Sequence, residues 1–279
     1  MWMVGPPEGN AVTDAGLDQN TGQFDQPSAA RMYDYYLGGA HNFPADREAA
    51  GKVIAVYPDA PKVARANRAF LRRAVSFMLA NGVRQFLDLG SGIPTVGNVH
   101  EVVEATGHDT RVVYVDIDPV AVAHSQSILG DRPDVGVIRA DVRRPTEVLT
   151  APLTARLLDF SRPIGLLAVA VLHFVGPDDD PRGLLAHFRD ALAPGSYLAL
   201  SHGTAEGRPD AAAGYSAVYR NTRDPLTLRP RAEITDLFTG WDLVEPGLVW
   251  LSQWRPDWPD EVDADPSIAQ MLCGVGRKP

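Results

Sequence analysis

From Arg84 onward, the sequence alternates short runs of β-branched and apolar residues with stretches that carry helical apolar spacing. This alternation is typical of βαβ units, in which a helix connects two parallel strands and covers one face of their sheet. It predicts five strands, at 85–89, 112–115, 135–138, 164–171 and 197–200, separated by helices at 96–105, 119–129, 144–158 and 181–192. The order is that of a doubly wound α/β domain with a mostly parallel sheet.

Two further helices and two late strands follow the alternating part. The helices are predicted at 209–219 and 231–238, and the strands near 243–250 and 270–275. We expect the late strands to pair as an antiparallel edge of the sheet.

The first 82 residues lack the alternation of strands and helices. Residues 1–26 are rich in small and polar residues and predict a loose tail, because they bury too little apolar surface to offset the entropy of ordering. Helices are predicted at 29–37, where Ser28 is the expected cap, and then at 45–57 and 60–81. We therefore expect three parts: a tail at 1–26, a helical cap at 27–82 and an α/β domain at 83–279.

Composition limits the partners and the compartment. A formal net charge of -9 removes the usual basis for binding a phosphate backbone, so nucleic acid is not an expected partner. A lone cysteine, Cys273, is typical of a reducing compartment, and no segment resembles a signal peptide or a membrane span. We expect a soluble, cytoplasmic protein that does not bind a membrane.

The strongest local motif is the segment 86–92, an apolar strand that runs into a glycine-rich turn. Gly90 and Gly92, on either side of Ser91, allow close approach of the backbone to a ligand at the carboxyl edge of the sheet. A dinucleotide fingerprint needs a third glycine where this chain has Thr95, and Asp88 suits a cation better than a pyrophosphate. The motif favours a sulfonium amino acid over NAD, although an ordinary βα turn remains an alternative.

Two more predicted strands end at carboxylates. Asp116 follows the second strand at the spacing from the glycines that suits a ligand of the ribose hydroxyls, whereas Asp118 before Pro119 is the expected cap of the next helix. Capping is the alternative role for Asp116 as well. Asp141 ends the third strand, where it could accept a hydrogen bond from an adenine amino group while Val142 packs on the ring.

These motifs, with 171–174 and 192–198, fall in the order seen in class I S-adenosylmethionine-dependent methyltransferases. The segment 27–43 also resembles the opening of an actinobacterial group of such enzymes that was once catalogued as a domain of unknown function. The resemblance covers nearly all of 27–278 and implies a Rossmann-like, seven-stranded sheet with a reversed last strand. Its implied cofactor is S-adenosyl-L-methionine, of which Asp88, Gly90 and Gly92 would hold the methionine part, Asp116 the ribose and Asp141 the adenine. Ser91, Ile117 and Val142, which adjoin these residues, are further candidate cofactor-binding residues.

The resemblance further implies that the N-terminal helix and its following loop fold over the cofactor as a lid. Tyr33, Asn42 and Phe43 would then lie nearest to the cofactor. The resemblance implies no particular methyl acceptor. We expect a small organic molecule, from the acidic charge and the lid.

Two histidines are candidate catalytic bases. His173 and His202 follow the fourth and fifth strands, where both are expected to face the cleft, and histidine has a pKa near neutral pH. A hydrogen-bonded histidine at the pocket rim is the alternative for each, and His173 is the preferred base. Tyr215 and Tyr219, one helical turn apart, could shape an acceptor pocket or form a core stripe.

No metal site is expected. The run 178–180 is predicted to be a solvated turn before a helix. Four late tryptophans, at 241, 250, 254 and 258, are expected to pack the late hairpin or to form a contact in a homodimer. A nicotinamide oxidoreductase and a non-catalytic S-adenosylmethionine sensor remain the alternative functions.

Overall fold

The computed structural model describes residues 25–94, 97–105, 107 and 109–279. The predicted tail, except for its last two residues, and Thr95 lie outside the described residues. The strands are β1 (Gln85–Leu89), β2 (Arg111–Asp116), β3 (Val135–Arg139), β4 (Gly165–Val169), β5 (Tyr197–Gly203), β6 (Asp242–Leu243), β7 (Val249–Trp250) and β8 (Met271–Arg277).

The described α-helices beyond residue 84 follow the alternation of the sequence, and several of the helices pack on the sheet. The described α-helices are α1 (Ala29–Tyr36), α2 (Pro44–Val56), α3 (Ala60–Ala80), α4 (Val99–Glu104), α5 (Pro119–Leu129), α6 (Pro145–Thr150), α7 (Pro152–Leu157), α8 (Pro181–Ala191), α9 (Pro209–Tyr219) and α10 (Arg231–Asp236). The predicted helix at 144–158 is two helices, because Pro152 has no N–H to continue the first one.

The sheet has the strand order β3-β2-β1-β4-β5-β8, with both β6 and β7 paired to β8. β1 to β5 run parallel, and β8 is antiparallel to β5. The predicted α/β, Rossmann-like sheet with a reversed last strand is thus confirmed. It has eight strands rather than seven because the predicted strand 243–250 is interrupted by Pro246, which cannot donate to a ladder, and by Gly247 at positive φ.

Side chains alternate between two apolar layers along the central strands. In β1, Phe86 belongs to the layer that also contains the α3 residues Phe70 and Met78, whereas Leu87 and Leu89 belong to the opposite layer. This alternation is the period of two that a strand covered on both faces produces. Thus α3, although within the predicted cap at 27–82, packs on the sheet itself; the division into cap and domain stays a prediction.

A buried ionic network joins α1 and α2 to the end of β2. The guanidinium of Arg31 is fully buried and donates to Asp46 Oδ2 at 2.8 Å, to Asp118 Oδ2 at 2.9 Å and to the carbonyl oxygen of Gln26 at 2.7 Å. Asp46 also accepts from the backbone N–H of Ser28 at 3.0 Å. Ser28 is the residue before α1, as predicted, but its hydroxyl makes no capping hydrogen bond.

The late tryptophans differ in their surroundings. Trp254 is fully buried, and its ring lies edge-on to Phe70 and Phe77 of α3, at 5.4 and 5.9 Å between ring centroids. Trp258 is 67% exposed. In the described part of the chain, no helix is both long enough and apolar enough to cross a membrane.

Candidate active site

A cavity of about 300 Å³ lies at the carboxyl ends of β1 to β4. Its wall on the side of the sheet consists of the segments that follow these strands. The inner faces of α1, α2, α3 and α9, together with residues from the segments 223–228 and 269–271, form most of the remaining wall. Most of the candidate site residues lie at this wall: Tyr33, Asp88, Gly90, Ser91, Gly92, Asp116, Ile117, Asp141, Val142, His173, Tyr215 and Tyr219.

The glycine turn after β1 forms one end of the cavity. Gly90 and Gly92 have positive φ angles of 64° and 65°, a region that favours glycine. The backbone N–H of Ser91 donates to the carbonyl oxygen of Val115 at 3.0 Å, and the N–H of Gly92 donates to Asp116 Oδ2 at 2.8 Å. The turn is therefore fixed to the end of β2 by two hydrogen bonds.

The two glycines are predicted to differ in their tolerance of a side chain. A Cβ at Gly90 would lie 2.2 Å from Val171 Cγ2, whereas a Cβ at Gly92 would meet no atom of the described residues within 4 Å. Gly92→Ala should lower the free energy of unfolding by about 1 kcal/mol, from backbone strain alone. Gly90→Ala adds a clash in the core and should lower it by about 3 kcal/mol or more. Equal losses in urea unfolding would contradict this account of the turn.

Asp88 is a buried carboxylate with no hydrogen-bond partner among the described residues. It is 5% exposed, and it accepts no hydrogen bond from the described residues. Burial raises its pKa to about 7. The Arg68 guanidinium acts to lower this pKa, and the Asp116 carboxylate acts to raise it. A buried carboxylate in this state needs either a proton or a cation. The arrangement favours a positively charged ligand next to the glycine turn.

Asp116 accepts a hydrogen bond at each oxygen, from Gly92 N–H and, at 2.8 Å, from Asp118 N–H. Burial nevertheless raises its pKa to about 6. Each carboxylate oxygen can accept a second hydrogen bond, so the group retains capacity for two donors of a ligand. Asp118 caps α5, accepting from the N–H groups of Val120 and Ala121 at 2.8 and 3.3 Å, which confirms its predicted role.

The segment after β3 contributes a second carboxylate. Asp141 lies at the wall, and its oxygens accept from the Nε and Nη2 atoms of Arg143 at 2.6 to 3.0 Å. Burial raises its pKa, but the hydrogen bonds and charge of Arg143 lower it overall. Arg143 itself is exposed, and its guanidinium pairs with Asp141 at the wall. Val142 and Ile117 add apolar surface beside this pair.

Tyr33 of α1 lies at the cavity wall, where the resemblance placed it. Its hydroxyl donates to the carbonyl oxygen of Ala64 at 3.0 Å and accepts from Asn67 Nδ2 at 2.9 Å. The guanidinium of Arg68 lies over its ring, 5.5 Å from the centroid. The ring is thus fixed between α1 and α3.

Asn42 and Phe43 do not lie at the cavity wall. The Asn42 amide donates to Asp34 Oδ2 at 2.8 Å and to the carbonyl oxygen of Gly39 at 2.9 Å, so it closes the turn between α1 and α2. The ring of Phe43 lies against the Arg31 guanidinium, 5.4 Å from it. Both side chains therefore stabilise the turn, and the structure does not bring them to the predicted cofactor contact.

His173 lies at the wall in a 3-10 turn, Leu172–Phe174, after β4. Its Nδ1 accepts from the backbone N–H of Gly203 at 3.3 Å, so the proton of the neutral ring is on Nε2. Burial, with the nearby His202 and Arg229, holds its pKa well below the usual range. A histidine with a low pKa and a protonated Nε2 is a poor base, but it can donate a hydrogen bond.

The expectation that His202 faces the cleft is wrong. The residue is fully buried in β5 and absent from the wall, and its Nε2 accepts from Arg229 Nη1 at 2.8 Å. Its Nδ1 donates to the carbonyl oxygen of Gly203 at 2.8 Å. Burial lowers its pKa to about 4. Because both ring nitrogens are used inside the protein, His202 holds Arg229 in place and is not available to a substrate.

Asn67 and Arg68 of α3, which the sequence patterns did not predict as site residues, also lie at the wall. Asn67 is 2% exposed and links Tyr33 to Ser201, whose hydroxyl donates to its Oδ1 at 2.6 Å. Asn67 lies in the apolar stripe of α3 that contains Ala64 and Leu71. A polar residue in such a stripe needs a hydrogen-bond partner, so this position could have indicated its role from the sequence.

In the described residues, no group of three or more His, Cys, Asp or Glu side chains could hold a metal ion. The run 178–180 precedes α8, where Asp180 accepts from the N–H of Gly183 at 3.1 Å. Asp180 is therefore a helix cap.

The model of a family described as S-adenosyl methyltransferase matches residues 17–279. The chain belongs to the S-adenosyl methyltransferase family. It is therefore an S-adenosylmethionine-dependent methyltransferase, and S-adenosylmethionine is its cofactor. The match favours methyl transfer over the nicotinamide and sensor alternatives.

Two solved structures resemble this methyltransferase over nearly their whole length. A protein from Thermobifida fusca YX, provisionally assigned as a methyltransferase, is 40% identical with a TM-score of 0.86; the match covers 94% of this chain and 99% of that one. A DUF574 family protein from Streptomyces avermitilis MA-4680 is 38% identical with a TM-score of 0.88, over 92% of this chain and 99% of that one. The comparison with curated proteins found no match.

The residues of the methyltransferase site fit the cofactor. Within the described residues, the Asp88 carboxylate accepts no hydrogen bond and can receive an ammonium group, and no atom lies near the position of a Cβ at Gly92. Asp116 retains acceptor capacity for hydroxyl groups. These are the charge and the donor and acceptor groups that a molecule with a methionine part and a ribose requires.

Proposed function

We propose that this methyltransferase transfers the methyl group of S-adenosylmethionine to a small organic molecule. The observation that carries the proposal is Asp88, a buried carboxylate at the cavity wall with no partner among the described residues. An ammonium group satisfies such a carboxylate, and the α-amino group of a methionine part is one. The position beside the glycine turn agrees with this role.

In this proposal, the methionine part lies against Asp88 and the glycine turn, and the two oxygens of Asp116 accept from the ribose hydroxyls. Ile117 and Val142 pack on the adenine. The fit of Asp141 depends on Arg143, because the guanidinium already uses both carboxylate oxygens and leaves only their second lone pairs to an adenine amino group. Tyr33 supports the wall opposite the sheet.

The cofactor supplies a methyl group on a sulfonium, which is a strong electrophile. What remains for the chain is to align the acceptor and to exclude water. The inner faces of α1, α2, α3 and α9 cover part of the cavity and so limit the access of water to it. His173 donates a hydrogen bond from Nε2 and positions the acceptor, because its low pKa makes it a weak base.

The acceptor is proposed to be small because the cavity is partly enclosed by helices, and a net charge of -9 disfavours a nucleic acid. A cytoplasmic location agrees with Cys273, which is free and buried.

The affinity for S-adenosylmethionine should rise with pH between 6 and 7.5. Asp88 has a pKa of about 7 in the ligand-free protein, and only its ionised form pairs with an ammonium group. Below this pKa the carboxyl must first lose its proton, so affinity falls by up to about tenfold for each pH unit. Calorimetry at several pH values measures this slope.

The Asp88→Asn variant should bind S-adenosylmethionine more weakly than the parent protein. Its affinity should depend little on pH over the same range, because the amide does not titrate. Asp236→Asn, which changes an exposed carboxylate of α10, is the matched control and should keep the parent slope. A parent protein with flat binding between pH 6 and 7.5 would argue against the pairing of Asp88 with the cofactor.

A further inference from the structure

An aromatic wall extends from the carboxyl end of β4 across the cavity. We use the term for His173, Phe174, Tyr219, Tyr215 and Tyr57, all of which line the cavity. Ring centroids are 4.4 Å apart for His173 and Phe174, 5.8 Å for Phe174 and Tyr219, and 5.4 Å for Tyr57 and Tyr215. Because Tyr215 and Tyr219 lie one turn apart on α9, the five rings form one surface.

The aromatic wall carries no net charge near neutral pH. Burial raises the pKa of Tyr57, Tyr215 and Tyr219, so their hydroxyls stay protonated, and burial keeps His173 neutral. The adjacent Asp224 uses a carboxylate oxygen to accept from Ala29 N–H at 3.1 Å. An anionic acceptor would lie against neutral rings and would lose hydration without a partner from the aromatic wall, and a cationic acceptor would face the positive sulfonium of the cofactor.

Two polar atoms of the aromatic wall have no partner among the described residues. The Tyr57 hydroxyl donates to the carbonyl oxygen of Ile268, and the Tyr219 hydroxyl lies 3.4 Å from that of Tyr36. The Tyr215 hydroxyl and His173 Nε2 make no such contact with the described residues. They are therefore available as hydrogen-bond donors to a bound molecule.

We propose that the methyl acceptor is a neutral, planar aromatic molecule that stacks on the aromatic wall and accepts hydrogen bonds from His173 Nε2 and the Tyr215 hydroxyl. This inference rests on the proposed function and names the substrate class of the same site. Rings of this kind attract another aromatic ring more strongly than a saturated ring of similar shape.

The test is calorimetric titration of the full chain, saturated with S-adenosylhomocysteine, with three probes of similar size. These are naphthol, decahydronaphthol and naphthoate. Naphthol should bind at least about tenfold more tightly than either of the others, because only it combines flat rings with zero charge. Equal or tighter binding of the saturated or of the anionic probe would overturn the proposal.

Variants separate the aromatic wall from the cofactor site. Tyr215→Leu should weaken naphthol binding by about fivefold while S-adenosylhomocysteine still binds, which also shows that the variant is folded. Trp258→Leu, which removes an aromatic ring that is 67% exposed and outside the cavity, should change neither. If S-adenosylhomocysteine binds but the probes do not differ, only this inference fails; if S-adenosylhomocysteine does not bind, the proposed function fails and the inference with it.

Discussion

Asp116→Asn is expected to weaken the binding of S-adenosylmethionine and S-adenosylhomocysteine by at least about 100-fold, which corresponds to the loss of hydrogen bonds to a charged group. In the parent protein, one carboxylate oxygen accepts from Gly92 N–H and the other from Asp118 N–H. Asparagine has the same size but only one oxygen. Its amide nitrogen must therefore face one of these two N–H donors, which both loosens the glycine turn and removes an acceptor for the ribose.

Calorimetry measures this effect directly, and unfolding in urea shows whether the variant is folded. Asp236→Asn makes the same chemical change on the exposed face of α10 and should bind the cofactor like the parent. Parent-like affinity of Asp116→Asn would leave Asp116 as a purely structural residue of the turn, and the proposed ribose contact would have to be abandoned.

Arg31→Met is expected to lower the free energy of unfolding by about 3–5 kcal/mol, the usual effect of removing one partner from a buried ion pair. Methionine can fill much of the space of the Arg31 stem, but it cannot donate to Asp46 or Asp118. These carboxylates have side-chain exposures of 0% and 4%, so water cannot replace the guanidinium. The loss should appear as a lower midpoint in urea unfolding.

Arg65→Met is the matched control, because Arg65 is an exposed arginine of α3. Its unfolding free energy should stay within about 0.5 kcal/mol of the parent value. If both variants unfolded at the same urea concentration, the buried network would not be what holds α1 and α2 against the end of β2.

Local patterns in the sequence predict the sheet well. β1 and α5 have the predicted bounds, since an apolar run before a glycine turn and an Asp-Pro helix start are both signals within a few residues. The same holds for the placement of Asp88, Asp116 and Asp141 at one edge, because the carboxyl ends of parallel strands meet there.

Long-range partners could not be predicted in this way. Arginine is usually a surface residue, so the sequence gives no sign that Arg31 is buried. Only the fold brings Asp118, 87 positions away, to its guanidinium. His202 lies near the carboxyl end of β5, where it was expected to face the cavity, but its Nε2 accepts a hydrogen bond from Arg229 inside the protein. Asn42 similarly follows a lid-like helix, yet Asp34 holds it in the turn.

The most direct test of the account is calorimetric titration of the ligand-free protein with S-adenosylmethionine, S-adenosylhomocysteine and NADH. The account predicts that the first two bind at one site and that NADH gives no heat of binding, because the third glycine position is Thr95 and Asp88 would repel a pyrophosphate. Binding of NADH, or no binding of either adenosyl compound, would contradict the assignment of the Asp88 to Gly92 turn as the cofactor site.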